Sequence, residues 1–250
     1  MKLRGWSKCL YVILLIFFLE GYAFLSEPSG AEAIQILLGK LFGTVTELNG
    51  DDVEIKKFIF ISEKMGYLIL FHILYGTYLS DNFRSISVYI FSRAINRRKW
   101  FWTKVLELSL LSMLYNFLLV GILVVITLYQ SGNPVSWDFW KLVLILYCIQ
   151  SMITILTTLF LNLCAVKWNI LASFLITYSI ICFLVILAIR SGMEENIIVW
   201  NPFCYVELGN QMGRVTYLTL LSDLCLSLII GTVGAEWITH MDISLQDKEK

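Results

Sequence analysis

VLELSLLSMLYNFLLVGILVVITLY, from Val105 to Tyr129, runs for twenty-five residues with a single charged side chain, Glu107. A bilayer core about 30 Å thick is crossed by roughly 20 helical residues, so a run this long and this apolar predicts a membrane-spanning helix. Five further runs share the pattern: Cys9 to Leu25, Phe58 to Leu79, Trp140 to Ala165, Ile170 to Ile189 and Val215 to Ile238. They predict an all-α polytopic membrane protein, one domain over 1–250 with six transmembrane helices. Composition agrees, since 58% apolar and 15% charged residues with a mean hydropathy of +0.75 leave too little polar surface for a soluble fold. The nineteen basic and nineteen acidic residues cancel, so no net field points to nucleic acid or an acidic ligand.

A seventh stretch, Ala31 to Leu48, places Ile34, Leu37, Leu38, Leu41, Phe42 and Val45 at helical spacing but is interrupted by Gln35, Lys40 and Glu47. Short and amphipathic, it is expected on the membrane surface. Orientation follows from the basic residues, which are retained in the cytoplasm near span ends. Lys2, Arg4 and Lys8, then Arg84, Arg93, Arg97, Arg98, Lys99 and Lys104, then Lys167, Lys248 and Lys250 place twelve of the nineteen on one side. Glu27, Glu32, Asp51, Asp52, Glu54, Glu194 and Glu195 occupy the other. Both ends are therefore expected inside.

The basic start and apolar first run also describe a secretory signal, whose cleavage near Gly30 or Ala31 would leave five spans. An uncleaved helix is preferred, because Glu20 interrupts the run and no A-x-A-like site precedes the polar loop. Cys9, Cys148, Cys164, Cys182 and Cys225 lie in or at the ends of spans, leaving only Cys204 outside, so no outer disulfide framework is expected. The absence of CxxC argues against a membrane thiol oxidoreductase and against a cysteine-based zinc site.

Catalytic motifs are missing as well. The chain has neither HExxH nor the acidic, arginine and histidine pattern of glutamate-type intramembrane proteases, and Ser131-Gly132 and Ser191-Gly192 fall in outer loops. Without GxxxxGK[ST] the chain does not itself cradle nucleotide phosphates. Its two histidines are expected to be structural, His240 as a solvated flank and His72 as a hydrogen-bonding group between helices, with no metal role.

Buried charge is the remaining intramembrane signal, since an ionisable residue in a span costs about 2.5 to 3.5 kcal/mol unless paired or wetted. Asp223 lies deepest, eight residues or roughly 12 Å into the last run. Lys64, beside Glu63, lies at comparable depth in the second run and is the expected partner. Glu20 is a shallower case, and Glu107 has Lys104 one turn away.

The loop after the second run reads DNFRSISVYIFSRAINRRKWFWTK, Asp81 to Lys104. Ile86, Ile90 and Ala94 share a helical stripe with Phe83 a turn earlier, while Arg93, Arg97 and Arg98 project elsewhere. Trp100 and Trp102 are placed to anchor the next span at the headgroup level. A basic topology loop needs no apolar stripe, whereas a helix that docks into a groove on a soluble partner does. The outer segment around Trp200, Asn201, Pro202 and Phe203 is apolar and broken by proline. It fits either an interfacial loop or a stretch that dips back into the membrane.

The six-span plan, the basic segment YIFSRAINRRKW (Tyr89 to Trp100) with Lys104, and the outer stretch VWNPF (Val199 to Phe203) resemble permease subunits of ABC-2-type ABC transporters. More narrowly, they resemble small bacterial permeases for antimicrobial-peptide export or immunity. The likeness covers the whole chain in layout, as topology and loop character rather than as a specific motif.

That resemblance implies a non-enzymatic subunit of the bacterial plasma membrane. Its cytoplasmic coupling helix, carried by Phe83, Arg84, Ile86, Ile90, Arg93, Arg97 and Arg98, would dock a separate ATPase that binds ATP and Mg. Trp200 to Phe203 would form the outer re-entrant segment, and a second permease subunit would complete the assembly. The outer loops are short, so an amphipathic substrate such as an antimicrobial peptide would be met within the membrane or at the dimer interface. Two other classes stay open. A substrate-binding component of a vitamin importer calls for small-residue patterns on its helices, and none is evident. A membrane enzyme calls for a deep polar cluster, which only Asp223 with His72 could begin.

Overall fold

A computed structural model of the 250-residue chain describes residues 37, 66–83, 96–131, 136–190 and 216–240. Among these, only Gly76, Thr77, Asn96, Ser136, Trp168 and Asn169 depart from helical geometry, and no strand occurs. The helices are α1 (Gly66–Tyr75), α2 (Arg97–Ser131), α3 (Trp137–Lys167), α4 (Ile170–Arg190) and α5 (Thr216–His240), with a further helical turn over 78–83. Four helices are long and apolar enough to cross a membrane, and they coincide with the third to sixth predicted runs. The first run, residues 58–65 of the second, and all of the surface stretch except Leu37 lie outside the described residues. Leu37 itself is helical and fully buried.

Local chemistry sets the helix starts. Asn96 caps α2 by accepting a hydrogen bond from the Lys99 amide at 3.2 Å, and Asn169 caps α4 by accepting from the Ala172 amide at 2.7 Å. Because Trp168 and Asn169 alone separate α3 from α4, those helices must run antiparallel. Lys167 closes α3 with its ammonium 4.7 Å from the Trp168 ring centre. The Asn96 cap also corrects the loop reading, since Arg97 to Lys104 form the first two turns of α2 rather than part of a separate amphipathic segment.

α3 is the central element and touches every other described helix, while α5 packs into the groove between α3 and α2. A Cβ built on Gly234 would stand 2.8 Å from the Leu163 methyls and 3.1 Å from the Phe101 ring, so a larger residue there would require those side chains to shift, and α5 lies close against both neighbours. Gly234 and the fully buried Ala235 are the small-residue face that the sequence reading did not find. It is used up within the chain.

The distribution of polarity is that of a membrane bundle. Leu106, Leu110, Phe117, Val125, Leu171, Leu175, Phe183, Leu228 and Val233 face outward, while His72, Asn116, Thr154, Thr158, Asn162, Ser173 and Asp223 are fully buried. A soluble bundle cannot leave so much apolar surface in water. In a bilayer that surface is solvated by lipid, and the polar groups turn inward to find partners.

Candidate functional site

Two features stand out: a buried polar seam, and the end of the bundle from which the basic loop departs. The seam is organised by α3, whose Gln150, Thr154, Thr158 and Asn162 recur every fourth residue and so share one face. His72 on α1 joins it. The Thr157 hydroxyl donates its one proton to the Ile153 carbonyl (2.7 Å), so it can only accept from His72 Nε2 (3.1 Å). His72 Nδ1 is then the acceptor for the Tyr178 hydroxyl at 2.8 Å. The histidine thus ties α1 to α3 and α4, the inter-helix role expected for it.

Asn162 performs a different task. In an unbroken helix the Leu79 amide would donate to the Tyr75 carbonyl, but Gly76 and Thr77 form a turn there. Instead the Leu79 amide donates to Asn162 Oδ1 (2.7 Å), and Asn162 Nδ2 donates to the Tyr75 carbonyl (2.9 Å) and to the Thr158 carbonyl (2.9 Å). One side chain thereby satisfies the backbone groups opened by the break. Gly76 permits the close packing, since a Cβ there would fall 2.6 Å from Leu161 and 2.4 Å from the His72 carbonyl.

The basic end lies beyond this break. Tyr78 donates to Glu107 at 2.5 Å, and Lys104 bonds the same carboxylate oxygen at 2.6 Å. Arg98 pairs with Glu236 at 3.3 Å, and Arg97 donates to the Thr239 carbonyl at 3.4 Å. The start of α2 and the end of α5 therefore meet, beside the end of α3. Arg97, Arg98, Lys99, Lys104 and Lys167 gather at this end, while Lys141 and Arg190 sit toward the other.

The structure places Phe83 elsewhere than expected. Instead of leading an exposed docking stripe it is 2% exposed, with its ring centre 6.1 Å from that of Trp100. A large ring beside the membrane boundary gains more from the chain's own core than from exposure. Arg84, Ile86, Ile90 and Arg93 lie outside the described residues, as do Lys64 and Trp200 to Phe203. Asp223 is fully buried, and neither carboxylate oxygen has a partner among the described residues.

Sequence reasoning missed Asn116, Gln150, Ser151, Thr154, Thr158 and Asn162. The four-residue recurrence inside the run Trp140 to Ala165 was the available signal. No group of three or more histidine, cysteine or acidic side chains suited to a metal occurs among the described residues, and Cys148, Cys164, Cys182 and Cys225 are free thiols.

Fold and site together define a membrane-embedded chain whose described residues form a helical bundle with a hydrogen-bonded polar interior. No protein-family model matches it, and neither a curated protein nor a solved structure does. The likeness to ABC-2 permeases rests on the layout and loop character alone.

Proposed function

We infer that the chain is the membrane-spanning permease subunit of an ABC exporter of the bacterial plasma membrane. It has six spans with both ends in the cytoplasm, pairs with a second permease subunit, and moves an amphipathic substrate such as an antimicrobial peptide outward. The chemistry of ATP and Mg belongs to a separate ATPase, and this chain is not an enzyme. The observation that carries the reading is how the residues flanking segment 84–95 are held. On one side it leaves a helical turn clipped to α3 by Asn162 and closed by Phe83 against Trp100. On the other it enters α2 beside Arg97 and Arg98, which hold the end of α5. A force applied to such a loop reaches α3 and α5 directly, as a coupling element requires.

In this reading Ile86 and Ile90 supply the apolar contact and Arg84 and Arg93 its charged rim. The gathering of cations at one end of the described bundle supports the cytoplasmic placement of that end. A tagged chain should leave the membrane with a P-loop ATPase, whereas a chain that always purifies alone contradicts the assignment. The six-span topology makes its own prediction: in intact cells a membrane-impermeant thiol reagent should modify Cys204 and spare Cys9. Labelling of Cys9 would overturn the orientation.

A further inference from the structure

We propose that residues 78–83 are a hinged arm with two hydrogen-bonded positions: the one seen, bent at Gly76 and Thr77, and a second in which α1 runs unbroken to Phe83. The device needs no particular driving partner, so it does not rest on the transporter reading. Up to Tyr75, α1 is fixed to its neighbours. Tyr115 of α2 donates to the Tyr67 carbonyl (2.8 Å) and sets its ring centre 5.0 Å from that of Phe71, while His72 is bonded to Thr157 on α3 and Tyr178 on α4. Past the break the residues brace one another. Thr77 Oγ1 donates to Asp81 Oδ2 (2.9 Å), Ser80 Oγ to the Thr77 carbonyl (3.0 Å) and Asn82 Nδ2 to the Tyr78 carbonyl (2.6 Å), so the arm moves as one piece.

The arm is held to the bundle by the Leu79 amide on Asn162, the Tyr78 hydroxyl on Glu107 and the Phe83 ring against Trp100. Both hydrogen bonds have a substitute at hand. On leaving Asn162, the Leu79 amide meets the Tyr75 carbonyl four residues back, the acceptor it has in any unbroken α-helix. Asn162 Nδ2 then keeps the Thr158 carbonyl (2.9 Å). Glu107 is not left unpaired when Tyr78 departs, because Lys104 bonds the same carboxylate oxygen at 2.6 Å, with its ammonium 5.8 Å from the Tyr78 ring centre.

The released groups are tolerated where they go. Tyr78 stands at the inner end of the run Phe58 to Leu79, where a phenol reaches headgroups and water. Leu79 and Phe83, buried in the bent position, pass to lipid, which solvates apolar side chains about as well as a helix surface does. What the straight position gives up is chiefly the partner of Asn162 Oδ1. Two positions so closely balanced make a hinge that a modest force can throw.

The test is fluorine NMR of the full chain in lipid nanodiscs, with para-fluorophenylalanine in place of Phe83. The Trp100 ring shifts the fluorine resonance only while the two rings are packed, so the bent and straight positions have different shifts. Tyr78→Phe removes the bond to Glu107 and should raise the straight population about fivefold, seen as a growing second resonance or, in fast exchange, as movement of the averaged one. Asn162→Leu should make the straight position predominant and carry the resonance the same way. Hydrogen exchange should then find the Leu79 amide still protected, because it is bonded to the Tyr75 carbonyl. A single resonance unmoved by both substitutions would overturn the proposal. So would rapid exchange of the Leu79 amide in Asn162→Leu, since the arm would then melt instead of straightening.

Discussion

Replacing Ile86 by Asp, or Ile90 by Asp, is expected to abolish recovery of the proposed ATPase partner with the chain while leaving the chain inserted in the membrane. Binding energy at protein interfaces concentrates in a few buried apolar anchors, whose loss costs about 2 kcal/mol or more, roughly thirtyfold in affinity. A carboxylate introduced there adds desolvation to the lost contact. With Phe83 packed against Trp100, the proposed contact rests on the two isoleucines. Both precede the Asn96 cap of α2, so the membrane-crossing helices keep their starts. Arg97→Ala with Arg98→Ala should weaken assembly only mildly, with a difference from wild type that shrinks at high salt, because both side chains also contact the end of α5 and their remaining contribution is screened. Complex formation by both aspartate variants would reduce the loop to a topology signal.

Asn162→Asp is the second substitution with a large expected effect. The carboxylate can still accept from the Leu79 amide, but it has no proton for the Tyr75 carbonyl and brings a charge to a fully buried position. The expected loss is about 3 kcal/mol, the order expected when a buried hydrogen bond is lost and an unpaired charge is left buried. Asn162→Leu should cost less, about 1 to 2 kcal/mol, because the Leu79 amide can then close onto the Tyr75 carbonyl as in a regular helix. That closure would straighten the break and redirect residues 78–83, so the leucine variant should assemble yet couple poorly. Unfolding in mixed micelles would rank the variants. An aspartate variant as stable as wild type would contradict the clip.

The spans were legible because transfer energy is written in the side chains. The runs Ile170 to Ile189 and Val215 to Ile238 match α4 and α5 within two residues at each end. The run Val105 to Tyr129 begins eight residues inside α2, because hydropathy marks where the membrane starts and the Asn96 cap marks where the helix does. The break at Gly76 and Thr77 was invisible for a related reason. It is a matter of backbone hydrogen bonds, and the side chain that satisfies them lies 83 residues from Leu79 in sequence. Burial of Phe83 was equally non-local, since it depends on Trp100 returning beside it. The polar stripe of α3 could have been read from its four-residue spacing, but single polar residues inside a strongly apolar run carry little weight in a hydropathy average. His72 was legible as an inter-helix hydrogen bonder, whereas its partners Thr157 and Tyr178 were not.

The central claim is that this chain conducts a substrate through the membrane under the control of an ATPase it does not itself contain. Native mass measurement of the complex extracted with the tagged chain tests this most directly. The account predicts an assembly of two permease subunits and two ATPase subunits, whose ATPase component is released when Ile86 or Ile90 is replaced by Asp. A mass corresponding to this chain alone, or to multiples of it with no ATPase under any nucleotide condition, would contradict it.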